Sequence, residues 1–387
     1  MSEYGSDHER EEESLSNPDV VTKYKAAAKI TNAALAAVVE ACKPGAKIVD
    51  LCDKGDSLLN EGVGKEFKGK DIEKGIAVPT CISVNNCVGH CSPLNDCAVE
   101  LKEGDLVKID IGCHIDGYIA QAAHSLVVAA DAAAPVTGRA ADVMQCAQTC
   151  FDAAARLIRP GHKSSEVAPV LAKICEAYGC NLVDGVMTYE MTRFVIDAQK
   201  AVVHKAQPDQ KVEDVEFEEG EVYAIDCLVS SGEGKPKLHD EKETTVYKRA
   251  MEVQYQLKMK ASRELLSEVQ KKYPTMLFSL RGIEAKQARF GLVECLNHGL
   301  LNAYPVTYEK DGDLVAHVKG TVLLMPSGSD RITGVPAQAL QSDKSCEDEE
   351  VKALLATSCK NEEVKALLAT SLKNKKKKKK AAKEAAA

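Results

Sequence analysis

Two unrelated stretches of this chain recur at one spacing, and that spacing limits the folds open to it. Lys43-Pro44-Gly45 returns as Arg159-Pro160-Gly161. The run EGDLVKID from Glu103 to Asp110 returns as EGEVYAID from Glu219 to Asp226, and every matched pair lies 116 residues apart. A shared offset of this kind predicts an internal duplication. The first copy opens with Asn17 as a helix cap and Pro18 at the first helical position. Tyr24, Ala28, Leu35, Val38, Val39 and Cys42 continue on one helical face until Pro44–Gly45 stops it. Ile48, Leu51, Cys52, Leu58 and Leu59 mark a second helix, and the later copy predicts helices over about 138–159 and 164–178. A duplicated helix–helix–strand–hairpin unit implies an α+β fold of two halves about a pseudo-two-fold axis. Each half supplies a twisted, mostly antiparallel sheet with helices outside.

In such an arrangement Asp110 and Asp226 take equivalent strand positions facing a shared cleft. Alternation over Lys108–Ile111 marks the strand, and Asp116-Gly117 marks the hairpin turn that follows. A turn centred on Ile115–Asp116 sets Asp110 opposite Gln121. One centred on Asp116–Gly117 makes Gln121 its diagonal neighbour. Either register keeps both side chains on one face, so Asp110, Gln121 and Asp226 are expected to line one pocket.

Composition excludes other classes. The chain has no apolar run near 18 residues, so no membrane insertion is expected, and its acidic start is unlike a signal peptide. Fifteen cysteines, an odd number without paired C-x-x-C knuckles, fit reduced thiols better than a disulfide framework. Cys87, Cys91 and Cys97 around His90 come nearest to zinc spacing, but buried or loop thiols are the expectation there. The net charge of −8 conceals opposite poles. Residues 1–20 carry a net −6, residues 371–387 a net +7, and the 350 between them −9.

The run KIDIGCHIDG from Lys108 to Gly117, NCVGH from Asn86 to His90, Ile225-Asp226, and TVLL from Thr321 to Leu324 resemble the type II methionine aminopeptidases, over roughly residues 18–340. The resemblance implies the pita-bread fold and a site for two divalent metals, held by two aspartates, a histidine and two glutamates. Carried over residue by residue, the first aspartate is Asp110, and the second, eleven residues on, is Gln121. The histidine falls at Tyr189, the first glutamate at Asp226 and the last at Lys319. The family's substrate-polarising histidine is retained as His90, whereas a later one reads Asp197. Two divalent ions beside Asp110, Asp226 and Lys319 would leave a net charge of about +3, each uncompensated ion costing several kcal/mol. The implied cleft is therefore a structural ion-pair network around Lys319, with no metal, no cofactor and no catalytic residue. The alternatives are an active aminopeptidase, a single weak metal on Asp110, Asp226 and His90, or a module binding peptide ends in the cleft.

Loss of the ligand pattern points to one branch. VSSGEG from Val229 to Gly234, TTVYK from Thr244 to Lys248, LKMKASR from Leu257 to Arg263, LLMP from Leu323 to Pro326, and the C-terminal lysine run resemble the proliferation-associated (ErbB-binding) proteins nearly end to end. That branch often keeps a histidine at the position of Tyr189. The resemblance implies a non-peptidase associated with ribosomal RNA and the large ribosomal subunit. It also implies residence in cytoplasm, nucleus and nucleolus, with roles in growth control and transcriptional co-repression.

Charge gives a separate reason to expect RNA. Residues 248–289 carry a net +6, in an insert expected to be helical over about 248–305. Tyr255, Leu257, Leu265, Leu266, Val269 and Tyr273 supply its apolar face. Lys248, Arg249, Lys258, Lys260, Arg263, Lys271 and Lys272 are then candidate phosphate contacts. Lys375, Lys376, Lys377, Lys378, Lys379 and Lys380 form a nucleic-acid or nucleolar-targeting run. Residues 1–17 read as a disordered acidic segment, and 341–387 as a tail. That tail holds a tandem repeat, EEVKALLATS from Glu349 and again from Glu362. A shift of 13 residues turns the second copy by about 220° on a straight helix, so only one copy can face a given groove. It could dock a protein partner or pack back on the body.

Overall fold

The structure is a computed structural model and describes residues 13–129, 131, 134–205, 212–285, 287–326 and 328–357. Helix α1 (Pro18–Ala41) begins where Asn17 caps it, its side chain accepting the Asp19 amide at 3.0 Å. Helix α2 (Ile48–Lys65) follows. Then come strands β1 (Lys74–Val84), β2 (Leu106–Ile115) and β3 (Tyr118–Val127). The second half repeats the order with α3 (Gly138–Leu157), α4 (Val167–Tyr178), β4 (Met187–Glu190), β5 (Ala201–Val203) and β6 (Val222–Ser230).

An insert follows, made of β7 (Val246–Arg249), α5 (Lys260–Lys272), β8 (Leu277–Ser279), α6 (Ala288–Asn297) and β9 (Leu301–Tyr304). Strand β10 (Val315–Met325) returns to the main sheet, and α7 (Glu349–Ala356) ends the described chain.

The duplication is visible in hydrogen bonds. Gly45 donates to Leu101 at 2.7 Å and Gly161 to Phe217 at 3.0 Å, each partner shifted by 116 residues. The bridges Lys47–Glu100 and Lys163–Glu216 repeat the same offset. These glycines turn at φ 82° and 84°, a left-handed conformation that strains any residue with a Cβ. The two halves do not keep separate sheets, as the sequence suggested. β3 pairs with β10, giving one continuous sheet in the order β1-β2-β3-β10-β6-β4-β5, antiparallel throughout that order.

Apolar faces dictate the layers. Val20, Tyr24, Ala27, Leu35 and Val38 of α1 pack with Ile109, Ile111 and Ile119 of the sheet in one core. Phe151, Leu171 and Ile174 of α3 and α4 pack with Tyr223, Ile225 and Leu324 in another. Side chains alternate along each strand, so the opposite face of the same sheet is left to line the cleft.

Three boundaries differ from the sequence reading. Leu15 is buried in the first core, and Glu13 pairs with Arg193 at 2.7 Å, so packing begins before residue 18. The insert is not purely helical: β7 is the middle strand of a three-stranded sheet, and α5 and α6 close a small core around Leu265, Val269 and Phe278. Its β-branched and aromatic residues around Tyr247 and Phe278 serve as strands, which a helical period search passes over. The chain after 340 is not wholly a tail. Leu340–Gln341 pairs in parallel with Val136–Thr137, and the first copy of the tandem repeat forms α7. Val351 of that copy is fully buried against the second core, so this copy packs back on the body. The second copy and Lys375–Lys380 lie outside the described residues.

Candidate functional site

Strand pairing builds the cleft floor row by row. Asp110 of β2 lies opposite Ala123 of β3, Ala123 opposite Lys319 of β10, and Lys319 opposite Asp226 of β6. Four adjacent strands thus present Asp, Ala, Lys and Asp in one line. The small Ala123 leaves space above it for the Lys319 side chain to reach back. Its ammonium donates to Asp110 Oδ2 at 2.8 Å and lies 3.0 Å from Asp226 Oδ2. The hairpin turns at Asp116–Gly117, so Gln121 pairs with Gly112 and sits diagonally from Asp110. Gln121 does not reach the ion cluster; its amide Nε2 donates to Met191 Sδ at 3.1 Å.

These charges are desolvated. Burial raises the Asp226 carboxyl, yet the Lys319 ammonium and His317 beside it hold the group well below the usual carboxylate range. Burial also lowers the Lys319 ammonium, and Asp110 and Asp226 more than reverse this, holding it above the usual lysine range. His317 Nε2 lies 2.6 Å from Asp226 Oδ1. Sequence reasoning missed His317, although a period of two from Lys319 along β10 puts it on the same face. The second oxygen of Asp110 is buried without a hydrogen-bond partner.

A cavity of about 390 Å³ stands over this row, lined among others by His90, Tyr189, Ile196, Asp197, Tyr304 and Lys319. Every cleft position inferred from the sequence therefore reaches one site: Asp110, Gln121, Tyr189, Asp226, Lys319, His90 and Asp197. His90 turns at φ 60° and packs edge-on against Tyr304, with centroids 5.3 Å apart. Burial pushes its imidazole down to about 4, so it is neutral at pH 7.

The donors present do not fit a pair of divalent metals. The fixed ammonium of Lys319 bridges the two aspartates, Gln121 turns to Met191, and Tyr189 offers a phenol that burial holds above its usual range. Asp110, Asp226 and His90 do not bring three ligand atoms within 4.8 Å of one another. Nor do Cys87, Cys91, Cys97 and His90 form a zinc cluster. The three cysteines line a different cavity of about 360 Å³, and His90 faces the cleft.

The metallopeptidase family M24 model matches residues 22–248. A protein of Solanum tuberosum, "ERBB-3 binding protein 1", is 54% identical over 356 residues, 91% of each chain. The chain belongs to family M24, in its proliferation-associated (ErbB-binding) branch. A Schizosaccharomyces pombe relative, "Curved DNA-binding protein", is 42% identical over 353 residues, 89% of this chain and 91% of that one. The solved structure of a thermophilic Arx1 is 31% identical with a TM-score of 0.83, covering 88% of this chain and 98% of that one. The fold expected for the M24 family, pita-bread and α+β, is the one described above.

In this M24 member the basic insert is less free than its net charge suggested. Lys248 is paired with Asp197 at the cleft. Lys272 pairs with Glu268 at 2.9 Å and Glu284 at 2.8 Å, and Lys260 lies 3.5 Å from Glu264. Arg281 is buried against Asp53 and Asp56 of α2 and fastens the insert to the body. Arg263 is exposed while donating to the Leu257 and Lys258 carbonyls at 3.1 and 2.7 Å. Lys258 and Lys271 are exposed and Arg249 half-buried, and no described acid pairs with any of these three. Sequence spacing shows the i,i+4 pairs of α5 with Glu264 and Glu268, but not the pairings with Asp197, Glu284, Asp53 and Asp56, which come from outside the helix.

Proposed function

We propose that the protein is a non-catalytic RNA- and ribosome-binding factor of the cytoplasm and nucleolus, acting in ribosome biogenesis or translation, growth regulation and transcriptional co-repression. The observation that carries the non-catalytic part is the Lys319 ammonium within 3.0 Å of both cleft aspartates. Metal-assisted hydrolysis requires a metal-activated water where this side chain stands. RNA binding is supported by Arg249, Lys258, Arg263, Lys271 and Arg289 on the insert. Phe290, 70% exposed, and Tyr255, half-exposed and stacked on His298, offer aromatic faces of the kind bases stack on, with the exposed Val293 and Met259 beside them as apolar surface. The nucleic-acid name of the yeast relative points the same way.

The test measures anisotropy of a labelled ribosomal RNA fragment with the full chain over a salt series. Lys258→Glu with Lys271→Glu, and separately a deletion after Asn374, are expected to lower affinity and to flatten the salt slope by about one unit per lost phosphate contact. Unchanged affinity and slope in both would refute the RNA reading. Methionyl-peptide turnover with added Mn²⁺, abolished by Asp110→Ala, would instead establish a peptidase. A second reading is favoured by the cavity over the cleft row, which Asp110, Asp226 and Asp197 line: carboxylates there can attract the ammonium of a peptide end. Peptide binding without retained RNA would support that reading.

A further inference from the structure

The scattered cysteines converge away from the cleft. Cys146 and Cys150 stand one turn apart on α3, and Cys175 comes from the last turn of α4. Cys175 Sγ lies 3.7 Å from Cys146 Sγ and 3.8 Å from Cys150 Sγ, and all three sulfurs fall within 4.8 Å of one another. Gly179 ends α4 in the left-handed region at φ 60°, and the Cys180 amide donates back to Cys175 O at 2.8 Å. That turn brings Cys180 next to the group but outside the three-sulfur set, its thiol directed to the Tyr178 carbonyl at 3.5 Å. All four are buried.

The geometry of the three converged thiols points to a site for a zinc-class ion, and we propose that Cys146, Cys150 and Cys175 hold one, with Cys180 turning its thiol from the Tyr178 carbonyl to become the fourth ligand. A tetrahedral centre with metal–sulfur bonds of about 2.3 Å has sulfur–sulfur edges of about 3.8 Å. The spacings at Cys175 match that edge before any ion is placed. Soft thiolates select d¹⁰ ions of this class over the hard cations that oxygen sites take. Four thiolates and one divalent ion leave a net −2. Two cations stand at the turn that carries Cys180 and offset this charge in part, since both also pair with Asp142, at 3.6 and 3.1 Å: Arg139 donates to Tyr178 O at 3.0 Å and Gly179 O at 2.6 Å, and Lys344 to Tyr178 O at 2.9 Å. Binding displaces four thiol protons to solvent, and burial means the ion enters as the half folds. The site would clamp α3 to α4. The competing state is four thiols packed as small apolar side chains.

The experiment uses the full chain, expressed with added zinc, purified with a reductant and analysed for metal by mass spectrometry. A second sample is refolded with Co²⁺. The expected result is one equivalent of zinc per chain and, with cobalt, the thiolate-to-metal charge-transfer bands of a tetrahedral sulfur site. Cys150→Ala and Cys175→Ala should each abolish both, while Cys87→Ala leaves both unchanged. If the variants fail to fold, the cobalt spectrum of the unaltered chain decides. A folded chain without zinc and without those bands overturns the site, as does metal that survives both substitutions.

Discussion

Replacing Lys319 with methionine tests the cleft reading most directly. The substitution keeps side-chain bulk and removes the only cation that touches both aspartates among the described residues. At an effective dielectric of about 20, each of the two contacts is worth about 6 kcal/mol in charge attraction, most of it offset by desolvation. A second route bounds the net loss. Without the ammonium, one carboxyl can take a proton instead. Protonating a group of ordinary pKa near 4 at pH 7 costs about 4 kcal/mol, and at pH 5 about 1.4 kcal/mol. Removal of one partner of a buried pair typically costs about 3–5 kcal/mol, which agrees.

The signs in the unaltered protein follow from the shifts. Asp226 is held below its unfolded value, so its contribution is present above about pH 4 and disappears as pH falls through the depressed value. Lys319 is held above its unfolded value, so its contribution is complete below about pH 10 and disappears as pH rises through the elevated one. Urea unfolding of both proteins at pH 5 and pH 7 should show a deficit of about 4 kcal/mol at pH 7 that shrinks by more than half at pH 5. A deficit under about 1 kcal/mol at pH 7, or one equal at both pH values, would refute the ion-pair network.

Three further outcomes can be checked. Lys319→Glu should make thermal stability rise on adding Mn²⁺, with no rise in the unaltered chain; an equal response in both would show that Lys319 does not exclude the metal. Arg281→Leu leaves the half-buried Asp56 without its cation and should cost about 2–3 kcal/mol, read as faster amide exchange across 246–304 before the body unfolds. Unchanged exchange there would show that the insert is held by other contacts. Val351→Ala removes apolar volume from a fully buried position and should cost about 2 kcal/mol, seen as faster proteolytic cleavage between residues 341 and 348. Cleavage at the original rate would mean that α7 is not held by this side chain.

The sequence carried the duplication because turns need glycine at fixed places, and both copies of Lys/Arg-Pro-Gly kept it. It also carried the cleft, since strand alternation and a shared offset bring Asp110 and Asp226 to one face. The choice between two hairpin registers depended on which residue turns left-handed, and Asp116, at φ 54°, with Gly117 took that role. What stayed hidden depends on contacts between distant segments. Arg281 counted as surface charge until Asp53 and Asp56 of α2 met it, and Lys248 until Asp197 did. His317 needed the β10 register, and the three strands of the insert needed one another. Cysteines 146, 150, 175 and 180 share no local motif because two helices and a turn bring them together.

The Asp–Ala–Lys–Asp row has a consequence for how such a cleft can change. Its alignment is fixed by main-chain pairing of four strands, so the side chains standing in it can be exchanged without rebuilding the sheet. A cation that a metallopeptidase must capture from solution is here supplied by the chain itself, at the moment β10 joins the sheet. That part of the cleft's positive charge is thereby inherited with the gene.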